Sequence, residues 1–545
     1  MRFGKSMALV TSVQRALHKG TLTLFLLVFF GCATTAPQPA LMKSVNTAQP
    51  GDALGEDQSR RKELSDASIV ALLELLKQKN VISADEAARI IERSAMQAAK
   101  EPVITSRTES RERIEPVTTS EPTAPGKVPS EQVAQQVRAK APGDMQIEEK
   151  IAAAVPDWVN RIRFGGDVRL RYENDRYDDN NADFAKPSDP TQLMNTKIDQ
   201  DKFKYRVRFG AEAQVSEQLT AFVRVSTGNT TNPVSTNNIL GDYMNKDNVV
   251  FDRAYLKWQP ADFLSVYGGR MPNPWFTPSW LVWDDDLNFE GVAITMKLPV
   301  TGSWSTFFNA GAFPLDDYEF SSHDKWLAGG QIGLERKDRQ GISAKIGAAY
   351  YYFSNITGIR NNPLHPGATD WTAPLYQQKG NTLFNISADP AVIKTALASG
   401  FEELNVGGTL DIGFWDPYHV VLAGDYVKNF GFDKSSVARR TGNPDPEEDT
   451  TGYNIGLSVG HPEKETFGQW KASLTYRSVG ADAVIDAFTD SDFHLGGTNA
   501  EGWILGADFT LRKNIWLALK WITADEISGP PLAIDVLFVD INARF

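Results

Sequence analysis

From Phe203 to Val215 apolar and polar residues alternate without a break. Phe203, Tyr205, Val207, Phe209, Ala211, Ala213 and Val215 fall on one face; Lys204, Arg206, Arg208, Glu212 and Gln214 fall on the other, with Gly210 among them. A period of two makes a strand, and thirteen residues is long for a globular sheet. The length suits a tilted strand crossing a bilayer, with one face on hydrocarbon and one on water. Ionised groups are costly in hydrocarbon, so the charged face must line an aqueous interior. Upstream, Ile162, Phe164, Val168, Leu170 and Tyr172 oppose Arg163, Asp167, Arg169, Arg171 and Glu173. The last residues repeat the pattern, with Leu537, Val539, Ile541, Ala543 and Phe545 against Asp540, Asn542 and Arg544. A terminal strand of this kind would pair with the first and leave no polar backbone edge facing lipid.

The same pattern predicts strands near 161–173, 203–215, 219–226, 249–258, 263–271, 289–299, 302–312, 326–337 and 340–352. Others are predicted near 403–415, 417–429, 450–461, 467–477, 501–511, 514–523 and 532–545, about sixteen in all. Their connections sort by parity. Tight links such as Ser216-Glu-Gln218 and Arg512-Lys-Asn514 alternate with long segments near 174–202, 227–248, 272–288, 313–325, 353–402, 430–449 and 478–500. Membrane barrels separate short turns from long loops in this way, and a soluble sandwich has no reason to. The fold class expected is an all-β, closed antiparallel transmembrane barrel over 155–545. Both ends of that barrel should lie in the periplasm. Within 353–402, Asn381–Ile386 reads as a strand and Pro390–Ala398 as a short helix. Trp258, Tyr267, Trp304, Tyr426, Trp470, Tyr476, Trp503, Trp516 and Trp521 sit where interfacial girdles and some lumenal positions would fall.

A formal charge of −12 argues against nucleic-acid binding. After residue 30 no run of eighteen apolar residues occurs, which excludes a bundle of membrane helices but not a barrel. Residues 1–32 read as an export signal, with Arg15, His18 and Lys19 before the apolar run Leu22–Phe30 and small residues after it. Cys32 is the single cysteine, so no internal disulfide can form. Its position after Phe-Phe-Gly resembles a lipoprotein signal, so Cys32 is either lipidated or lost near the cleavage point. Residues 59–98 read as a periplasmic helical hairpin, with Ile69, Leu72, Leu73 and Leu76 on one stripe and a capping box at Ser83–Glu86. Its expected use is subunit association or cell-wall contact. Residues 99–154, rich in Pro, Thr, Ser and Glu, read as a flexible tether.

Three segments carry a resemblance. They are Gly268-Gly-Arg-Met-Pro-Asn-Pro-Trp275 continuing through Leu281–Gly291, Phe488–Ala500, and the strand Asp535–Phe545. They resemble a family of putative porins from Gram-negative bacteria, large outer-membrane barrels with an N-terminal helical region. The resemblance implies passive permeation and names no solute.

A barrel of sixteen strands is wide enough for an aqueous channel. The loop 272–288 is the expected constriction. Trp275, Phe276, Trp280 and Trp283 would be costly in open water and should anchor it to the wall. That places Asp284, Asp285, Asp286 and Glu290 at the narrow part. Arg163, Arg169, Arg171, Arg206, Arg208, Glu212 and Arg253 should line the lumen. Acid set across from base would orient small hydrophilic solutes and ions. Expected partners are these solutes, outer-membrane lipid, and copies of the chain, a trimer by analogy. The alternative is a structural barrel held to the cell wall by its helical hairpin.

No cofactor or metal is called for. No nucleophile elbow, His-Glu-x-x-His or phosphate-binding loop is expected. Ser491, Asp492 and His494 form the one local cluster with catalytic residue types, and ordering of their loop is the expected use.

Overall fold

In a computed structural model the described residues are 161–186, 189–319, 323–338 and 341–545. The signal segment with Cys32, the helical hairpin 59–98 and the tether 99–154 lie outside them. Sixteen long strands carry the fold. They are β1 Ile162–Tyr177, β2 Gln200–Gln214, β3 Leu219–Thr227, β4 Val249–Ala261, β5 Leu264–Pro272, β6 Asn288–Thr301, β7 Trp304–Asp316 and β8 Lys325–Arg336. The second half comprises β9 Ile342–Ser354, β10 Glu402–Trp415, β11 Tyr418–Asn429, β12 Thr451–Gly460, β13 Trp470–Val479, β14 Ala500–Arg512, β15 Ile515–Glu526 and β16 Ala533–Arg544.

Each strand pairs antiparallel with the next, and β1 pairs with β16 from Asp167↔Arg544 to Tyr177↔Ile534. Phe545 and Gly166 then exchange backbone N–H···O bonds of 3.0 Å in both directions. A side chain at Gly166 would meet the Arg208 carbonyl at 2.3 Å and the Phe545 ring at 2.8 Å, so glycine alone fits beneath the closing aromatic. The closed ring leaves no sheet edge to lipid at this seam.

Alternation decides which face each residue takes. Arg206 is 8% exposed and touches loop residues inside the barrel, whereas Val207 beside it is 37% exposed on the outer surface. Trp258, Trp304, Tyr426 and Trp470 stand exposed. Tyr267 turns inward against Tyr255, and the Trp516 ring meets Lys464 and Arg544. No helix among the described residues is long and apolar enough to cross a membrane.

Inside 353–402 the helix expected at Pro390–Ala398 is absent. Thr395–Leu397 is instead a strand paired with Leu383–Asn385. The Asn385 side chain closes this hairpin, accepting from the Ser387 and Lys394 amides and donating to the Val392 carbonyl. A helix forms elsewhere, α1 at Lys434–Thr441, capped by the Asp433 carboxylate on the Ser436 amide and ended by Gly442 at φ 78°.

Replacing Val207 by Arg should lower unfolding stability by about 2–4 kcal/mol if the site lies near the bilayer midplane. Urea titration of the vesicle-inserted protein reads this directly. An unaffected midpoint would place Val207 away from hydrocarbon.

Candidate functional site: the infolded third loop

The third long loop, 273–287, does not stay at the rim. Gly269 and Gly291 sit opposite each other in the β5–β6 ladder, with φ of 117° and 143°. Only glycine adopts such angles freely. A Cβ at Gly269 would also lie 2.4 Å from the Ala254 carbonyl, and one at Gly291 2.3 Å from that of Ala312. Beyond this pair Met271 and Phe289 are buried in the inner apolar cluster. The hairpin therefore bends inward and carries its loop with it.

Aromatic packing fixes the loop. Trp275 meets Tyr351 and Phe313 edge-on at 5.4 and 6.2 Å. The Phe276 amide donates to Gln331 and its carbonyl accepts from the same side chain, both at 2.8 Å, while its ring packs on Phe307 under the Lys345 ammonium. Ser279 donates to Asp425 on β11 at 2.8 Å. The half-exposed Trp280 ring lies 5.3 Å from the Lys520 ammonium of β15. Trp283 is buried against Tyr351 and Phe289. The loop thus touches the wall from β7 round to β15 before returning to β6.

The three consecutive aspartates divide. Asp284 is buried, its two oxygens accepting from the Asp286 and Ser491 amides at 2.8 Å. Asp286 is buried on β2, accepting from Arg208 at 3.0 Å and Arg206 at 3.5 Å, with Thr236 on its other oxygen at 3.0 Å. Asp285 is left exposed, as is Glu290, which pairs with Arg270. Acid and base are therefore in contact here, where the sequence suggested they would face each other across the opening.

On the wall, Asp167 bridges Arg206 and Arg208 at 2.9 and 2.8 Å. Arg171 pairs with Asp540 at 2.8 Å and Asp492 at 3.0 Å. Arg169 and Arg253 meet amides instead, donating to Asn237 at 2.6 Å and Asn288 at 2.7 Å. Arg163 stands exposed opposite Glu212 near the short-turn end. Asp252 is an extra residue in the β3–β4 ladder, which sends both it and Arg253 to the inside.

Residues that no local pattern marks complete the site. The seventh long loop, 480–499, also folds in. Its Phe488 carbonyl accepts from the Asp284 amide and its Thr489 hydroxyl donates to the Leu281 carbonyl, both at 2.8 Å. Asp490 pairs with Arg477, and Asp492 with Arg171 and Lys520. Ser491, Asp492 and His494 diverge. Ser491 donates to the Val234 carbonyl, and His494 Nε2 meets the Leu532 carbonyl while its Nδ1 meets Lys379 Nζ. They order the loop and do not converge on a reacting atom. Gly456-Leu-Ser-Val-Gly460 spells a nucleophile elbow, yet it lies inside β12 with Ser458 paired to Val421 and Ser473.

The loop carboxyls make docking pH-dependent. Burial pushes Asp486 up to about 7, reinforced by Asp482 and opposed by Lys379. Burial, with Asp490 and Asp286 nearby, pushes Asp284 well above its usual range. Folded-state values above the unfolded carboxylate value of about 4 mean that these groups favour docking fully at acid pH. That contribution declines as pH rises through about 7. Protease cleavage within 480–499 should be faster at pH 8 than at pH 5, and Asp486→Asn should flatten the difference. A flat wild-type profile would remove this account. Gly291→Ala should cost about 1–3 kcal/mol of strain and expose 273–287 to protease; unchanged protection would mean the bend does not need glycine.

No curated protein matches the chain. Among solved structures it is similar to OprB of Pseudomonas putida, at 11% identity over 71% of this chain and 96% of that one, TM-score 0.42. The outer membrane channel DcaP of Acinetobacter baumannii shows 12% identity over 70% and 97%, TM-score 0.39. Salmonella typhi OmpF, in complex with daunomycin, shows 12% over 72% and 99%, TM-score 0.39. Residues 66–545 match the family described as putative porin, and the chain belongs to that family of outer-membrane β-barrels.

Proposed function

We propose that the barrel is a passive channel for small hydrophilic solutes or ions, narrowed by the third and seventh loops acting together. The observation that supports this most is the band of ionised side chains inside the ring. Asp167, Asp286 and Asp492 hold Arg206, Arg208, Arg171 and Lys520 in fixed positions on one arc of wall. A band of charge has no use in a dry core, where desolvating an ion pair costs about as much as the pairing returns. Beside water it sets the potential that a permeating ion meets. Asp285 is the acidic group of the loop left exposed to act on a solute. Arg169 and Arg253 are held by amides and see their nearest carboxylates, Asp540 and Asp492 for Arg169 and Asp252 for Arg253, through space only. Copies of the chain would associate through the outer wall, as a trimer by analogy with other barrels of this strand number.

Purified protein in planar bilayers should give stable conductance steps. Asp286→Asn should shift the reversal potential across a salt gradient toward anions, because Arg206 and Arg208 then share Asp167 alone. Arg253→Gln should shift it the other way. Both shifts should grow at low salt, since at about 0.15 M screening already acts within roughly 8 Å. A barrel that gives no steps would be structural. Steps with unmoved selectivity in both variants would put this arc outside the conducting path.

A further inference from the structure

The inward bend that delivers the third loop leaves a breach in the wall. The β4–β5 ladder stops at Ala254↔Arg270, and the β6–β7 ladder stops at Val292↔Ala312. β5 and β6 stay paired to each other as far as Pro272↔Asn288, so the two strands leave the ring as a unit. Residues Val249–Arg253 of β4 and Phe313–Asp316 of β7 then have a ladder on one side only. An open strand edge does not persist against hydrocarbon; it is covered or its polar groups are met some other way. One group is met within the chain, where Arg270 Nε donates to the Asp252 carbonyl at 2.9 Å.

A cavity of about 870 Å³ occupies the breach. Its lining joins two environments that an intact barrel keeps apart. Val249 and Phe251, 69% and 73% exposed, continue the outward-facing register of β4, and both line it. So do Ile356 and Leu397 of the loop 355–401 and Ile485 and Phe488 of the infolded seventh loop. The charged groups around it are matched. Arg270 pairs with Glu290, Lys325 with Asp316 at 3.0 Å, and Arg224 with Asp252. The rest of the polar lining is uncharged, Ser226, Thr227 and Thr236 with Asn229, Thr230, Thr231, Asn232 and Ser235 along one side, where the Asn229 side chain accepts from the Thr231 and Asn232 amides. An apolar floor, a hydroxyl and amide rim and cancelled charge select against a free ion. They suit a molecule with an apolar body and an uncharged, hydroxylated end, and the volume is in the range of small-molecule sites.

We propose that this breach between β4 and β7 is a lateral binding site for an uncharged amphiphile that arrives from the bilayer, its apolar part over Phe251 and the loop floor and its hydroxyls toward residues 229–235. The site takes a different class of ligand from the ion path, and its test does not depend on conductance. The full chain is placed in phospholipid vesicles that already contain an alkyl glycoside with a photoreactive diazirine in its chain. After illumination, labelled peptides are mapped by mass spectrometry.

Label should concentrate on Val249–Asp252 and on Ile485–Phe488, saturate at one probe per barrel, and be displaced by unlabelled alkyl glycoside. Val249→Asp with Phe251→Asp, both at exposed positions, should reduce it at least tenfold. Because the wild-type map is informative by itself, the proposal stays testable if that variant folds poorly. Label spread over all outward apolar residues in proportion to their exposure, without displacement, would mean bulk lipid contact only and overturn the site. Label on Ile485–Phe488 that appears only with probe supplied in the aqueous phase would overturn lateral arrival.

Discussion

A backbone amide in hydrocarbon has no water to bond, and nearly everything in this molecule follows from how that demand is met. β1 and β16, the first and last strands of the barrel, meet it by pairing, with Phe545 and Gly166 as the final exchange. Once the ring is closed, alternation leaves no choice of face. Each strand must put its charged residues inside, and the interior then has to accommodate Arg169, Arg171, Arg206, Arg208, Arg224 and Arg253 on four neighbouring strands. Such a concentration of like charge is stable only with counter-charges close by. Asp167, Asp252 and Asp540 come from the wall, and Asp286 and Asp492 from loops. The infolded loops are therefore part of the electrostatic balance of the wall as well as a constriction of the lumen.

The loops stay inside through a second, apolar interaction. Trp275, Trp283, Phe289, Phe313 and Tyr351 form a continuous aromatic cluster joining loop to wall. Burying that many rings offsets the entropy of fixing a loop that could otherwise move in water. The carboxyl of Asp284 is carried into this environment as a hydrogen-bond acceptor that ties the third loop to the seventh. Polar and apolar anchors thus interleave along one fifteen-residue segment, 273–287, and together hold it across the ring.

The strands were legible because their signal is local. A period of two runs through most of each strand, broken at bulges such as Asp252, and the sorting of turn lengths needs no three-dimensional information. The hairpin Leu383–Asn385 with Thr395–Leu397 reads as part helix by periodicity, because its closure rests on the Asn385 side chain, which periodicity does not weigh. Of the site, the loop and its aromatics could be found from composition, but the division among Asp284, Asp285 and Asp286 could not. Which aspartate meets Arg208 depends on azimuth, and the partners of Arg171 lie 321 and 369 residues away in the chain. The sequence does carry one signal of the bend. Glycines at Gly269 and Gly291, bracketing a proline-rich aromatic loop inside otherwise regular strands, mark where backbones bend or approach closely.

The same two glycines tie the closed ring to its exception. A barrel can bring a loop into its lumen by draping it from the rim or by bending the strands that carry it. Draping keeps the wall intact but leaves the loop held by side chains alone. Bending β5 and β6 at Gly269 and Gly291 keeps the loop's base in a paired hairpin, which is the stiffer support, and it necessarily withdraws ladder partners from β4 and β7. The Asp252 bulge and the Arg270 contact to its carbonyl are what the chain itself places at the resulting edge. They satisfy one carbonyl and leave Val249 and Phe251 exposed beside a cavity. Constriction and breach are two consequences of one backbone bend, so any substitution that straightens the hairpin should widen the lumen and close the wall together.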